Sequence, residues 1–144
     1  MSLEITLTQL EQMIAHARQD APMECCGLIG GQGNRATKIY PARNDLNSPV
    51  RYQISPEDMY SAWHEIEVQH DWEIIAFYHS HPASEAYPSA TDLREAVATG
   101  YSEVSRFVIV SLAHPDQPVV RVFWLKGGKV LEESLATIDA TQGK

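Results

Sequence analysis

No stretch of this 144-residue chain approaches the roughly 18 consecutive apolar residues that a membrane-spanning helix needs. Basic residues are scarce. The 11 Lys and Arg stand against 19 Asp and Glu, a formal charge of −8, which argues against nucleic acid as a general partner because phosphate binding needs a basic surface. Cysteine is nearly absent too. The two present, Cys25 and Cys26, are adjacent, and neighbours on a strand point to opposite faces and rarely pair. With no Cys-x-x-Cys pair there is no zinc ribbon, and at least one thiol is expected to pack as a small buried apolar group, a nucleophilic cysteine being the alternative. The run Gly31-Gln32-Gly33-Asn34 lacks the Gly-x-x-x-x-Gly-Lys and Gly-x-Gly-x-x-Gly frames, so it reads as a hairpin turn and not a phosphate loop. His64-Glu65 is followed at the fourth position by Val68, so the helical His-Glu-x-x-His zinc motif is missing. Met1-Ser2-Leu3-Glu4 lacks the basic and apolar regions of a secretion signal, and the expected location is the cytoplasm. Neither a repeat nor a linker divides the chain, so one domain is expected over 1–144, with a frayed tail from about Asp139 to Lys144.

What is present supports a packed α/β fold. Hydrophobic residues make up 44%, enough for a real core. A helix is expected from about Thr8 to Gln19, capped by Thr8 and Glu11, with Leu7, Leu10, Ile14 and Ala17 as its stripe and Pro22 ending the region. His16 lies beside that stripe as a surface or edge residue. Glu24–Gly30 and Arg35–Pro41 read as hairpin strands, Ala42–Val50 as a loop, and Arg51–Ile54 as a short strand. Ser55-Pro56-Glu57-Asp58 is a strong helix start, with the helix running to about His70 and burying Met59, Trp63 and Ile66. His64 and His70 are expected to be exposed. A helix from Thr91 ends near Gly100, and strands follow over Arg106–Ala113, Val119–Leu125 and Lys129–Ser134, with His114 in an intervening turn. This order fits a mixed central β-sheet with helices packed on it.

The chemistry concentrates between Tyr78 and Asp92. Glu73-Ile74-Ile75-Ala76-Phe77 is an apolar strand that Pro82 stops, so His79 and His81 project side by side from its end. Asp92 follows after ten residues. Two imidazoles and one carboxylate are the protein ligands of a catalytic zinc, with a fourth position left for water. Ser89 and Asp92 have a structural reading as well, a helix N-cap with an acid three residues on. Both roles are compatible for Ser89.

The order Glu … His-Ser-His-Pro … Pro-Ser-Ala-Thr-Asp resembles the JAMM (MPN-plus) metalloprotease family, whose motif is an upstream glutamate, His-x-His, seven residues, Ser, two residues and Asp. Glu24, His79, His81, Ser89 and Asp92 match it position by position. The likeness extends to Pro22–Gly31, Val110-Ser111-Leu112 and Arg121-Val122-Phe123, and is strongest to the compact bacterial and archaeal members. The resemblance implies a cytidine-deaminase-like MPN fold, a Zn2+ held by His79, His81 and Asp92, Glu24 as proton acceptor and donor, and Ser89 as hydrogen-bond donor to the oxyanion. It also implies hydrolysis of the bond after the Gly-Gly tail of a ubiquitin-like or sulfur-carrier protein, whose extended tail would add beside a sheet edge. Nothing in the spacing itself places Glu24 near the other three, and as an isolated acid it also reads as a surface residue. Two other classes stand beside the peptidase: a zinc deaminase, whose His-x-Glu and Pro-Cys-x-x-Cys signatures are missing, and a non-catalytic MPN scaffold, which typically loses ligands.

Overall fold

The computed structural model describes residues 2–139. Met1 and residues 140–144, most of the tail read as frayed, lie outside them. In chain order the elements are β1 (Ser2–Thr6), α1 (Leu7–Asp20), β2 (Cys26–Gln32), β3 (Arg35–Ala42), α2 (Pro56–Trp63), β4 (Glu73–His81), α3 (Ala90–Thr99), β5 (Arg106–Ser111), β6 (Val119–Trp124) and β7 (Leu131–Ile138). The sheet runs β1-β3-β2-β4-β5-β6-β7 and mixes parallel with antiparallel pairs, as the element order predicts. It also closes on itself. β1 pairs in parallel with β7 from Ser2↔Ser134 to Thr6↔Ile138. That first strand escapes the sequence reading because only two of its buried side chains, Leu3 and Ile5, are apolar before α1 begins.

Several local expectations are corrected by hydrogen bonding. Thr6, not Thr8, caps α1: its side chain accepts from the Gln9 N–H at 3.1 Å, and the Gln9 side chain accepts from the Thr6 N–H at 3.0 Å. This shift turns Met13 and Ala17 inward and leaves Leu7 exposed. His16 is half-buried, at the edge of the α1 stripe and not free on the surface. Its Nδ1 lies 2.8 Å from the Tyr78 hydroxyl and its Nε2 3.3 Å from Asp20. Arg51–Ile54 forms no strand, only an isolated bridge between Asn44 and Ile54. Ser55 does not cap α2 with its side chain, because its Oγ accepts from Arg43 Nη2 at 3.2 Å. The helix also changes pitch, passing into a π-helical turn over His64–Gln69 that buries Ile66 but leaves Trp63 and His64 half-buried. His70 and His114 are exposed, as expected.

The sheet separates two apolar clusters. One packs around α1 and includes Leu3, Ile5, Met13, Cys25, Ile29, Tyr78 and Val108. The other lies under α2 and α3 and includes Cys26, Leu28, Phe77, Ala96, Ile109 and Phe123. Consecutive residues therefore go to opposite sides: Cys25 and Tyr78 to the first cluster, Cys26 and Phe77 to the second. Both thiols are buried and free, and burial pushes that of Cys25 up to about 12 and that of Cys26 further, so neither supplies a thiolate at neutral pH. His79 and His81 are in step with Phe77 and emerge on the α2–α3 side.

Gly27 shows how tightly this arrangement is packed. A Cβ there would lie 2.6 Å from the Tyr40 carbonyl oxygen and closer still to the Tyr78 ring. Gly27→Ala is therefore expected to destabilise the fold by roughly 1–3 kcal/mol, the usual cost of overpacking, read as a lower urea midpoint. An unchanged midpoint would show that the two tyrosines yield freely. No helix among the described residues is long and apolar enough to cross a membrane.

Candidate metal centre

The end of β4 and the first turn of α3 build the site. Strand alternation sets His79 and His81 side by side. The chain then leaves the sheet through Pro82–Pro88, and this loop is pinned: Ser111 Oγ donates to the Ser84 carbonyl at 2.6 Å, and His81 Nδ1 lies 2.7 Å from the Glu85 carbonyl. Ser89 then caps α3. Its Oγ accepts from the Asp92 N–H at 3.0 Å, while Asp92 Oδ2 accepts from the Ser89 N–H at 2.9 Å. The capping box read from the sequence is real, and it aims the Asp92 carboxylate at the two histidines.

Three short distances define the centre. His79 Nε2 is 3.2 Å from His81 Nε2 and 3.2 Å from Asp92 Oδ1, and His81 Nε2 is 2.9 Å from Asp92 Oδ2. All three residues are buried. Ligand bonds of about 2.0–2.2 Å in a tetrahedron separate neighbouring donor atoms by roughly 3.3–3.6 Å, close to what is seen here. The donor chemistry points the same way. The Glu85 carbonyl takes the proton on His81 Nδ1, so a neutral His81 turns the lone pair of Nε2 toward a carboxylate oxygen. Two lone pairs at that distance repel unless a proton or a cation lies between them. The residues fit a divalent metal.

Electrostatics follow from burial and from Asp92. Burial opposes ionisation of Asp92, but hydrogen bonds from His79 and His81 outweigh it and hold its carboxyl far below the usual range. Burial pulls His79 down, toward the neutral form that binds metals. For His81 burial acts in the same direction, but the Asp92 hydrogen bond reverses the outcome and raises it.

Glu24 lies two residues before the start of β2, whose Cys26 pairs with His79 of β4. Continuing that antiparallel register by two residues sets Glu24 across from His81. It is only 3% exposed, and its Oε1 bonds to no group among the described residues. Burial pushes its carboxyl up to about 8, with the His81 charge opposing the shift and the Asp92 charge adding to it. The reading of Glu24 as a surface acid is thereby removed. Its backbone is fastened on both sides, by its N–H to the Ser48 carbonyl at 2.8 Å and by Asn44 Nδ2 to its own carbonyl at 3.1 Å. Ser89 is exposed, and its hydroxyl proton is not used in the cap.

The sequence reading missed three contributors. The Glu85 carbonyl orients His81, Asn44 ties Glu24 to the following loop, and Tyr52 stacks on His79 with ring centroids 4.5 Å apart and planes at 22°. Backbone carbonyls leave no trace in a sequence. The asparagine sits in a stretch whose composition reads only as loop, and the tyrosine in one that reads as strand.

Residues 7–126 match the family of prokaryotic homologues of the JAB domain. The chain is 31% identical over 139 residues to a CysO-cysteine peptidase of Mycobacterium tuberculosis, covering 95% of this chain and 92% of that protein. It is 35% identical over 106 residues to a desampylase of Haloferax volcanii, covering 69% and 76%. The solution structure of a protein from Desulfitobacterium hafniense superposes with a TM-score of 0.82 at 34% identity, covering 98% and 97% of the two chains.

Proposed function

The chain belongs to the family of prokaryotic homologues of the JAB domain, and from that membership we propose that it is a zinc-dependent peptidase or isopeptidase. Its substrate on this reading is a ubiquitin-like or sulfur-carrier protein, cut after a C-terminal Gly-Gly tail. The observation that carries the reading is the buried convergence of His79, His81 and Asp92, with the buried acid Glu24 set across from His81 by the pairing of β2 with β4. Two relatives are named for cleaving small protein modifiers or their adducts, which supports the substrate class. Two free buried thiols accord with a cytoplasmic setting.

His79, His81 and Asp92 would hold the metal. A zinc there supplies a water ionising near pH 7 and a Lewis acid for the scissile carbonyl. Glu24 accepts the proton of the attacking water and returns it to the departing amine, work that suits a carboxyl whose affinity is raised toward neutrality. Asn44 holds the Glu24 carbonyl and so limits how far the acid drifts. Ser89 turns its free hydroxyl proton toward the oxyanion while its oxygen keeps α3 capped. A short exposed tail with two glycines would bring its backbone close to the centre without side-chain obstruction.

The direct test is incubation of the zinc-loaded protein with a ubiquitin-fold carrier bearing one residue beyond Gly-Gly, followed by mass spectrometry. Release of that residue is expected. An intact carrier at full zinc occupancy would overturn the peptidase reading. Ser89→Ala is expected to lower kcat by about 10²–10³-fold and to cost about 0.5–2 kcal/mol of stability through loss of the cap. A stability loss with unchanged kcat would reduce Ser89 to its structural role.

A further inference from the structure

We propose that Tyr52 is the positioning residue for His79, and that this chain orients one metal-binding imidazole by a hydrogen bond and the other by a ring face. The inference rests on the metal reading above and goes beyond its motif residues. A metal-binding histidine normally donates its second ring N–H to a carbonyl or carboxylate, which sets tautomer and orientation. His81 has such a partner in the Glu85 carbonyl, 2.7 Å from its Nδ1. His79 does not. Its Nδ1 is buried, and no group among the described residues bonds to it. Its orienting contact is instead the Tyr52 ring, stacked at 4.5 Å and 22°. An imidazole whose nitrogen is bound to a cation is electron-poor, and the electron-rich face of a phenol ring suits it.

Tyr52 is itself held by its backbone. Asn44 Nδ2 donates to the carbonyl of Arg51 at 2.9 Å, and Asn44 Oδ1 accepts from the N–H of Gln53 at 3.0 Å, so one side chain grips both neighbours of Tyr52. The same Nδ2 reaches the Glu24 carbonyl. The tyrosine also lines a cavity of about 320 Å³ between α2 and α3, with Met59, Phe77 and Ala98 among its walls. The ring is only 3% exposed and packs in the apolar cluster under α2 and α3, but that cavity leaves its side toward Met59 and Ala98 loosely filled. The Asn44 clamp and the stack on His79 hold it from the other sides.

The test compares zinc affinity by chelator competition, and the visible spectrum of the Co2+-loaded protein, for wild type, Tyr52→Phe and Tyr52→Leu. The phenylalanine variant keeps the ring and is expected to match wild type within about twofold, with the same spectrum. The leucine variant is expected to bind zinc about tenfold or more weakly, in the range of lost orienting partners, with an altered Co2+ spectrum. Wild-type affinity and spectrum in a folded Tyr52→Leu would overturn the proposal, as would a Phe variant as weak as Leu. If circular dichroism shows Tyr52→Leu unfolded, the unbranched Tyr52→Met takes its place and the same comparison decides. Failure of the wild-type protein to bind zinc at all would instead sink the metal reading, so the two failures are distinct.

Discussion

Glu24→Gln is expected to lower kcat by about 10²–10⁴-fold, the range of a lost general acid–base, while zinc content stays at one per chain. The substitution is nearly isosteric and removes only the ability to exchange a proton. Glu24 contributes no atom to the cluster of His79, His81 and Asp92, so metal binding has no reason to change. The fold has little reason to change either. In the protein the carboxyl is buried, with one oxygen bonded to no described group, and burial has pushed its affinity up to about 8. A neutral amide of the same shape sits in that environment at no greater desolvation cost than the ionised acid. The measurement is turnover of a Gly-Gly-tailed carrier together with metal content by atomic absorption. Turnover within a few-fold of wild type would remove Glu24 from the chemistry, and loss of zinc would make it part of the metal site.

The contrast between Glu24 and the other site residues shows what this sequence makes legible. His79 and His81 are related by strand alternation, and Ser89 and Asp92 by a single helical turn. These are local periodicities, and their spacing is visible without knowing the fold. Glu24 meets them through the pairing of Cys26 with His79, a contact between residues 53 apart in the chain, and no local period reports it. Tyr52 is further removed, because its place depends on four hydrogen bonds made by Asn44 within an irregular loop. The same division holds for the scaffold. The amphipathic helices and the apolar run of β4 are readable, with α1 off by one residue at each end and its cap by two, and with the change of pitch after α2 missed. The closure of the sheet was not, since it rests on the pairing of β1 with β7 at the two ends of the chain. A strand with two buried apolar residues gives too short a pattern to announce itself.

Asp92 is expected to show two separable losses, because it serves the metal and the helix with one carboxylate. Asp92→Asn keeps an oxygen that can accept from the Ser89 N–H, now 2.9 Å from Oδ2, but withdraws the negative charge that faces His79 and His81. Zinc should no longer be retained through gel filtration, and turnover should fall to background. Asp92→Ala should lose zinc and turnover in the same way, and should in addition remove the Asp92 half of the capping box, lowering the unfolding midpoint below that of the asparagine variant. His79→Ala separates the effects from the other side: it should lose zinc while leaving the α3 cap intact, since His79 takes no part in it. Comparing urea unfolding of the three metal-free variants isolates the cap, and comparing their zinc content isolates the metal. Full zinc occupancy in Asp92→Asn would mean that the two histidines suffice, and the carboxylate would then be left only its place in the helix start. Equal unfolding midpoints for the asparagine and alanine variants would mean the reverse, that Ser89 alone secures α3 and Asp92 is held in place for the metal.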